Sequence, residues 1–151
     1  MITARFTRSL LAVLALGAAA AQAADPVTVS DAWVAATVPG QPASGAFMRL
    51  DSACDCVLEK VDSPVAGLAQ IHQMSMQGDI MRMQPVDGVP LPKGSSVSLR
   101  PDGYHVMLMK LTAQIKEGDQ VPLTLTIREG QATRTLQVTA SARSIAGHAM
   151  H

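Results

Sequence analysis

Four histidines and nine methionines carry most of the coordinating chemistry of this 151-residue chain. Six of the methionines lie between Met74 and Met109; His72 precedes them, His105 falls among them, and His148, Met150 and His151 end the sequence. In an extended strand, side chains two apart share a face. His72, Met74 and Met76 therefore point one way, and His105 points with Met107. If Gly78 and Asp79 form a two-residue hairpin turn, Met76 opposes Met81, Met74 opposes Met83, and His72 becomes a diagonal neighbour of Met83. Diagonal neighbours are about 7–8 Å apart along the backbone, within reach of two long side chains converging on one ion. The resulting set is two imidazoles and two thioethers: His72, Met83, His105 and Met107. Thioether sulfur is soft and imidazole borderline, a combination that favours Cu(I) over zinc, iron or calcium. No carboxylate falls within the pattern to serve a hard ion. Methionine is also a flexible core filler, and for Met48 and Met109 that is the preferred reading.

The elements that must position these residues are strands. Long apolar runs at helical spacing are missing after Val27, and turn formers recur about every ten residues. Candidate strands are Thr28 to Ala36, Ser44 to Asp51, Val57 to Val61, Ala69 to Met76, Ile80 to Pro85, Ser95 to Arg100, Tyr104 to Leu111, Pro122 to Arg128 and Thr133 to Ala140. Pro101-Asp102-Gly103, Lys116 to Asp119 and Glu129-Gly130-Gln131 supply turn chemistry between the later ones. Val38 to Pro42 and Asp87 to Gly94, each with two prolines, read as loops. About nine short strands predict an all-β Greek-key sandwich or barrel.

Residues 1–23 read as a signal peptide. Arg5 and Arg8 precede a small, apolar run from Leu10 to Ala21, and Ala21-Gln22-Ala23 is an A-x-A cleavage signal. The run is shorter than the roughly 20 residues of a membrane helix, and no later segment approaches that length, so the mature chain is expected to lack a membrane span. The chain has 12 basic and 12 acidic residues, and removing Arg5 and Arg8 leaves ten against twelve, a net charge of −2. That balance gives no electrostatic support for nucleic-acid binding. The expected order is signal peptide 1–23, β-domain 24–140 and a flexible His- and Met-containing tail 141–151, exported to an oxidising periplasm. There a thioether neither titrates nor pairs, whereas thiols are liable to oxidise.

The spacing His72, ten residues, Met83, twenty-one residues, His105-x-Met107 resembles that of the PCu(A)C periplasmic copper chaperones. Ile71-His72-Gln73-Met74-Ser75-Met76, Met81-Arg82-Met83 and Gly103 to Met109 carry the resemblance, which spans Ala32 to Val138. It implies a cupredoxin-like β-domain binding one Cu(I) through His72, Met83, His105 and Met107. It also implies delivery to the CuA centre of cytochrome c oxidase, with Sco-type thiol proteins as co-workers. The same resemblance makes His148, Met150 and His151 a candidate second copper site, including for Cu(II), to which imidazole-rich sites are suited. A solvated chain end is the competing reading of that string.

Cys54 and Cys56 lie outside this pattern and have three readings: a local disulfide, a reduced pair with redox or copper function, or an inert buried pair. A blue-copper electron-transfer protein would need a thiolate beside its histidines, and both cysteines precede His72. General periplasmic copper storage or resistance is a further alternative to chaperoning. Nucleophile-elbow, phosphate-loop and H-E-x-x-H zinc motifs do not occur, so an enzyme is not expected.

Overall fold

Apolar side chains at every second position build this molecule. In Gln120–Glu129, the residues Val121, Leu123, Leu125 and Ile127 are buried while their neighbours are not. In Tyr104–Leu111, Val106 and Leu108 go inward, which sends His105, Met107 and Met109 to the opposite face. The computed structural model describes residues 25–145. Ten strands occur there and no α-helix: β1 Val27–Ala35, β2 Ala43–Ser52, β3 Cys56–Asp62, β4 Ala66–Gln77, β5 Ile80–Pro85, β6 Val89–Leu91, β7 Ser96–Leu99, β8 Tyr104–Leu111, β9 Gln120–Glu129 and β10 Ala132–Arg143.

One hydrogen-bonded path orders them β5-β4-β8-β2-β1-β10-β9-β3-β6, with β7 beside β8 along the same edge of β2. β1 and β10 pair in parallel, and the other pairs are antiparallel. The sheet folds over a shared core. Leu50, Ile71, Val106 and Leu108 from one half meet Leu58, Leu123, Leu125 and Ile127 from the other. Fully burying each such side chain contributes about 1.5–3 kcal/mol.

The all-β expectation holds, with three corrections. The path ends on β5 at one side and β6 at the other, so the sheet is not closed and the barrel alternative fails. There are ten strands rather than nine, because β6 lies inside the stretch read as a loop from Asp87 to Gly94. Its Pro90 has no N–H to donate, but β6 is an edge strand bonded only to β3, where that loss is tolerated. Val89 and Leu91 on either side are fully buried. Finally, β10 continues past Ala140, where the tail was expected to begin. Ser141, Ala142 and Arg143 pair with Trp33, Val34 and Ala35 of β1.

Of the three readings for Cys54 and Cys56, the disulfide is the one realised. A bend brings the two Cα atoms to 5.4 Å, within the usual range for a bridge. Both residues are buried, and Ser52 Oγ donates to the Cys54 carbonyl at 2.7 Å. The signal peptide, with Arg5 and Arg8, and the string His148, Met150, His151 lie outside the described residues.

Candidate metal centre

β4 lies between β5 and β8, and their registers assemble the site. His72 of β4 stands directly opposite His105 of β8, with ring centroids 6.1 Å apart. Gly78 takes φ 65° in the tight turn that joins β4 to β5, a left-handed conformation suited to glycine. The pairs Gln77–Ile80, Met76–Met81, Met74–Met83 and His72–Pro85 follow from that turn, leaving Met83 diagonal to His72 as the spacing predicts. Met107 sits two residues beyond His105 on the same face of β8, opposite Gln70 on one side and Gly45 on the other.

The hydrogen bonds fix which ring nitrogens are free. His105 Nδ1 lies 3.1 Å from the Gly103 carbonyl, which can only accept, so Nδ1 carries the proton. In the neutral ring Nε2 is then a bare lone pair, and it lies 3.1 Å from the Met83 sulfur. In that neutral tautomer two electron-pair donors face each other without a hydrogen between them. A cation is what such a pair accommodates. At His72, Nε2 is 3.1 Å from the Gln70 side-chain oxygen and donates to it. Its Nδ1 is left as a buried lone pair with no hydrogen-bond partner. Buried polar atoms are seldom left so, and an imidazole whose second nitrogen is held by a hydrogen bond is the usual form of a metal ligand.

Both imidazoles are buried, whereas Met83 is half exposed on the edge strand β5. Burial, and then the nearby His105, push the His72 pKa below its ordinary 6.5 and favour the neutral ring. Phe47 of β2 walls the other side, its ring centroid 6.4 Å from that of His105 and 4.5 Å from that of Trp33. Gly45 makes room for it, since a Cβ there would fall 2.7 Å from a Phe47 ring carbon. Trp33 pairs directly with Phe47 just after a bulge in β1 between Ser30 and Trp33, where Asp31 has φ 49°. A cavity of about 640 Å³ opens on Trp33, Phe47 and Arg49, but none of the four sequence-selected residues lines it.

The structure therefore brings His72, Met83 and His105 together and sets Met107 beside them. Met48 is buried in the core as expected. Met109 is not: it is half-buried on the same face as His105 and Met107, opposite Leu68. The core-filler reading fails for it because Val106 and Leu108 already claim the inward positions. Gln70 and the Gly103 carbonyl, which orient the two rings, were not singled out from sequence. The i, i+2 face rule applied one step further would have found Gln70 beside His72. No sequence pattern points to the wall made by Phe47.

The family model described as "Putative lipoprotein LpqE-like" matches residues 27–140. A curated relative, a putative lipoprotein of Leifsonia xyli subsp. xyli (strain CTCB07), is 31% identical over 111 residues, covering 73% of this chain and 67% of its own. Among solved structures, the Cu(I) form of DR1885 from Deinococcus radiodurans superposes with a TM-score of 0.64 at 30% identity, covering 84% of each chain. The copper-bound PCuAC domain from PmoF2 does so with a TM-score of 0.65 at 20% identity, over 82% of this chain and 97% of that one, a likeness of fold. This chain belongs to the LpqE-like family, and its fold is that of PCuAC domains.

Proposed function

We propose that this protein is a periplasmic copper chaperone that carries one Cu(I) through His72, Met83, His105 and Met107. The observation that carries the reading is the bare Nε2 of His105 facing the Met83 sulfur at 3.1 Å, beside the unpartnered buried Nδ1 of His72. Copper is cargo here, so the site must release it as well as hold it. Neutral imidazoles and thioethers suit that, because exchange to a partner's ligands requires no proton to leave this site. The likeness to the Cu(I) form of DR1885 adds support at 30% identity. Cleavage after Ala23 would send the chain to the periplasm, and the relative named a lipoprotein is in keeping with export. The recipient, by family resemblance, is the CuA centre of cytochrome c oxidase, with Sco-type proteins as co-workers. His148, Met150 and His151 form the proposed second copper site.

An electron-transfer role is disfavoured by the disulfide. Cys54 and Cys56 are bonded to each other, and no free cysteine occurs among the described residues to supply a blue-copper thiolate. The test is Cu(I) competition titration of the mature chain with and without residues 147 to 151, followed by transfer to a soluble CuA domain. One colourless Cu(I) should bind the truncated chain and move to the apo CuA domain. No retained copper, or an intense blue band after oxidation, would overturn the proposal.

A further inference from the structure

The β4–β5 hairpin carries more sulfur than one centre needs. Along one face of it the cross-strand pairs are Met76–Met81 and Met74–Met83, while the other face is mostly polar, with Gln73 opposite Gln84, Ser75 opposite Arg82 and Gln77 opposite an exposed Ile80. Met76 is 60% exposed, Met81 47% and Met83 49%. β5 is exposed along its whole length and forms one end of the sheet. Edge strands usually show charged side chains to water, because an apolar edge invites aggregation, and an exposed apolar patch commonly marks a binding site. Core filling does not explain these methionines, because none of Met74, Met76, Met81 and Met83 belongs to the buried core cluster.

Geometry lines the sulfurs up with the candidate centre. Directly opposed residues have Cβ atoms about 4.5–5.5 Å apart, and successive rungs on one face are about 6.8 Å apart. Met76–Met81 is the outer rung, at the turn; Met74–Met83 is the inner rung, and its Met83 sulfur already touches His105. Met74 is thereby within one rung of both ends.

We infer that Met76 and Met81 form a transient Cu(I) docking rung, from which the ion passes through Met74 and Met83 to the imidazoles. The inference rests on the copper reading above and assigns the route into and out of that site. Each step forms one bond to copper, Cu–S along the methionines and Cu–N at the imidazoles, as a bond to the previous donor breaks. The single positive charge travels with the ion, the thioethers stay neutral, and neither electrons nor protons are exchanged.

The test uses the mature chain and its Met76→Leu/Met81→Leu variant, with Cu(I) supplied as its bicinchoninate complex. Leucine keeps the volume and apolarity of these exposed side chains. Equilibrium affinity should stay within about threefold, while the rates of loading and unloading both fall about tenfold, the effect of raising one barrier by about 1.4 kcal/mol. Each single variant should show part of the slowing. In spectra of methyl-labelled methionine, substoichiometric Cu(I) should broaden Met76 and Met81 as well as Met83. Unchanged rates would overturn the docking rung while leaving the chaperone reading intact. An affinity loss as large as that of a Met83 variant would also overturn it, by making Met76 and Met81 resident ligands. If wild type holds no Cu(I), the chaperone reading fails first and the rung with it.

Discussion

Replacing Met83 by leucine should separate the folding role of this residue from its ligand role. Met83 is 49% exposed on an edge strand and touches His105 through sulfur alone among the polar contacts described. Volume-conserving apolar swaps cost under about 1.5 kcal/mol even in full cores, and half-exposed positions are closer to the ±0.5 kcal/mol of surface changes. For a domain of about 120 residues, 1 kcal/mol moves Tm by about 4 °C. The apo variant should therefore melt within about 2 °C of wild type. The loaded protein should behave differently. Removing one of four proposed ligands should weaken Cu(I) by at least the 10- to 100-fold seen when a ligand's supporting hydrogen bond is lost, and a hundredfold is about 2.7 kcal/mol. With excess free Cu(I), binding stabilises the fold by RT ln(1 + [L]/Kd). The copper-induced rise in Tm should thus shrink by at least about 5–11 °C. Anaerobic scanning calorimetry of both forms, paired with bicinchoninate competition, measures each half. An apo Tm lowered by more than about 6 °C would mean Met83 is a packing residue. An undiminished copper-induced rise would remove it from the ligand set.

Gln70→Ala should weaken Cu(I) about tenfold by freeing the His72 ring, at the low end of such effects because Gln70 is exposed; an unchanged competition titration would show that this bond orients nothing. For pH, the folded-state pKa of His72 lies below its unfolded value of 6.5. The unfolded chain therefore binds more protons, so the contribution of a neutral His72 is complete above about pH 6.5 and lost as pH falls through the lowered value. Apo wild type should lose Tm on acidification more steeply than His72→Gln; parallel slopes would contradict this. Gly78→Ala places a side chain at φ 65° with no atom of the fold within 4 Å, so its cost of about 1–2 kcal/mol is backbone strain alone. A stability lowered by about that amount, with amide exchange accelerated most in β4 and β5, would be its signature, and unchanged stability would count against it.

Much of this arrangement is legible in the sequence because strand periodicity is strict. Once Gly78-Asp79 is recognised as a turn, every β4–β5 pair follows, including Met74 with Met83. The direct facing of His72 and His105 is not legible in that way, since it depends on the register of two strands 33 positions apart in the chain. Nothing local sets that register. Packing does, through Ile71 opposite Val106 in the core. β6 escaped notice because Pro90 speaks against a strand until its edge position is known. Met109 differs from expectation for a related reason: composition suggests a filler, but alternation from the buried Val106 and Leu108 turns it outward. The aromatic wall needed the bulge at Asp31 and the missing side chain of Gly45, both of which act through three-dimensional contact.

The parallel pairing of β1 with β10 sets an order on the making of this protein. Among the described residues β1 is the first strand in the chain and β10 the last, and β1 lies in the sheet between β2 and β10. A nascent chain short of Trp33's partner Ser141 has one edge of β1 open, and Val34 still lacks Ala142. The long loop closure that joins them can occur only once β10 is available. Pairing of β1 along both of its edges thus waits for β10, so a chain truncated before Ser141 should leave the middle of the sheet open.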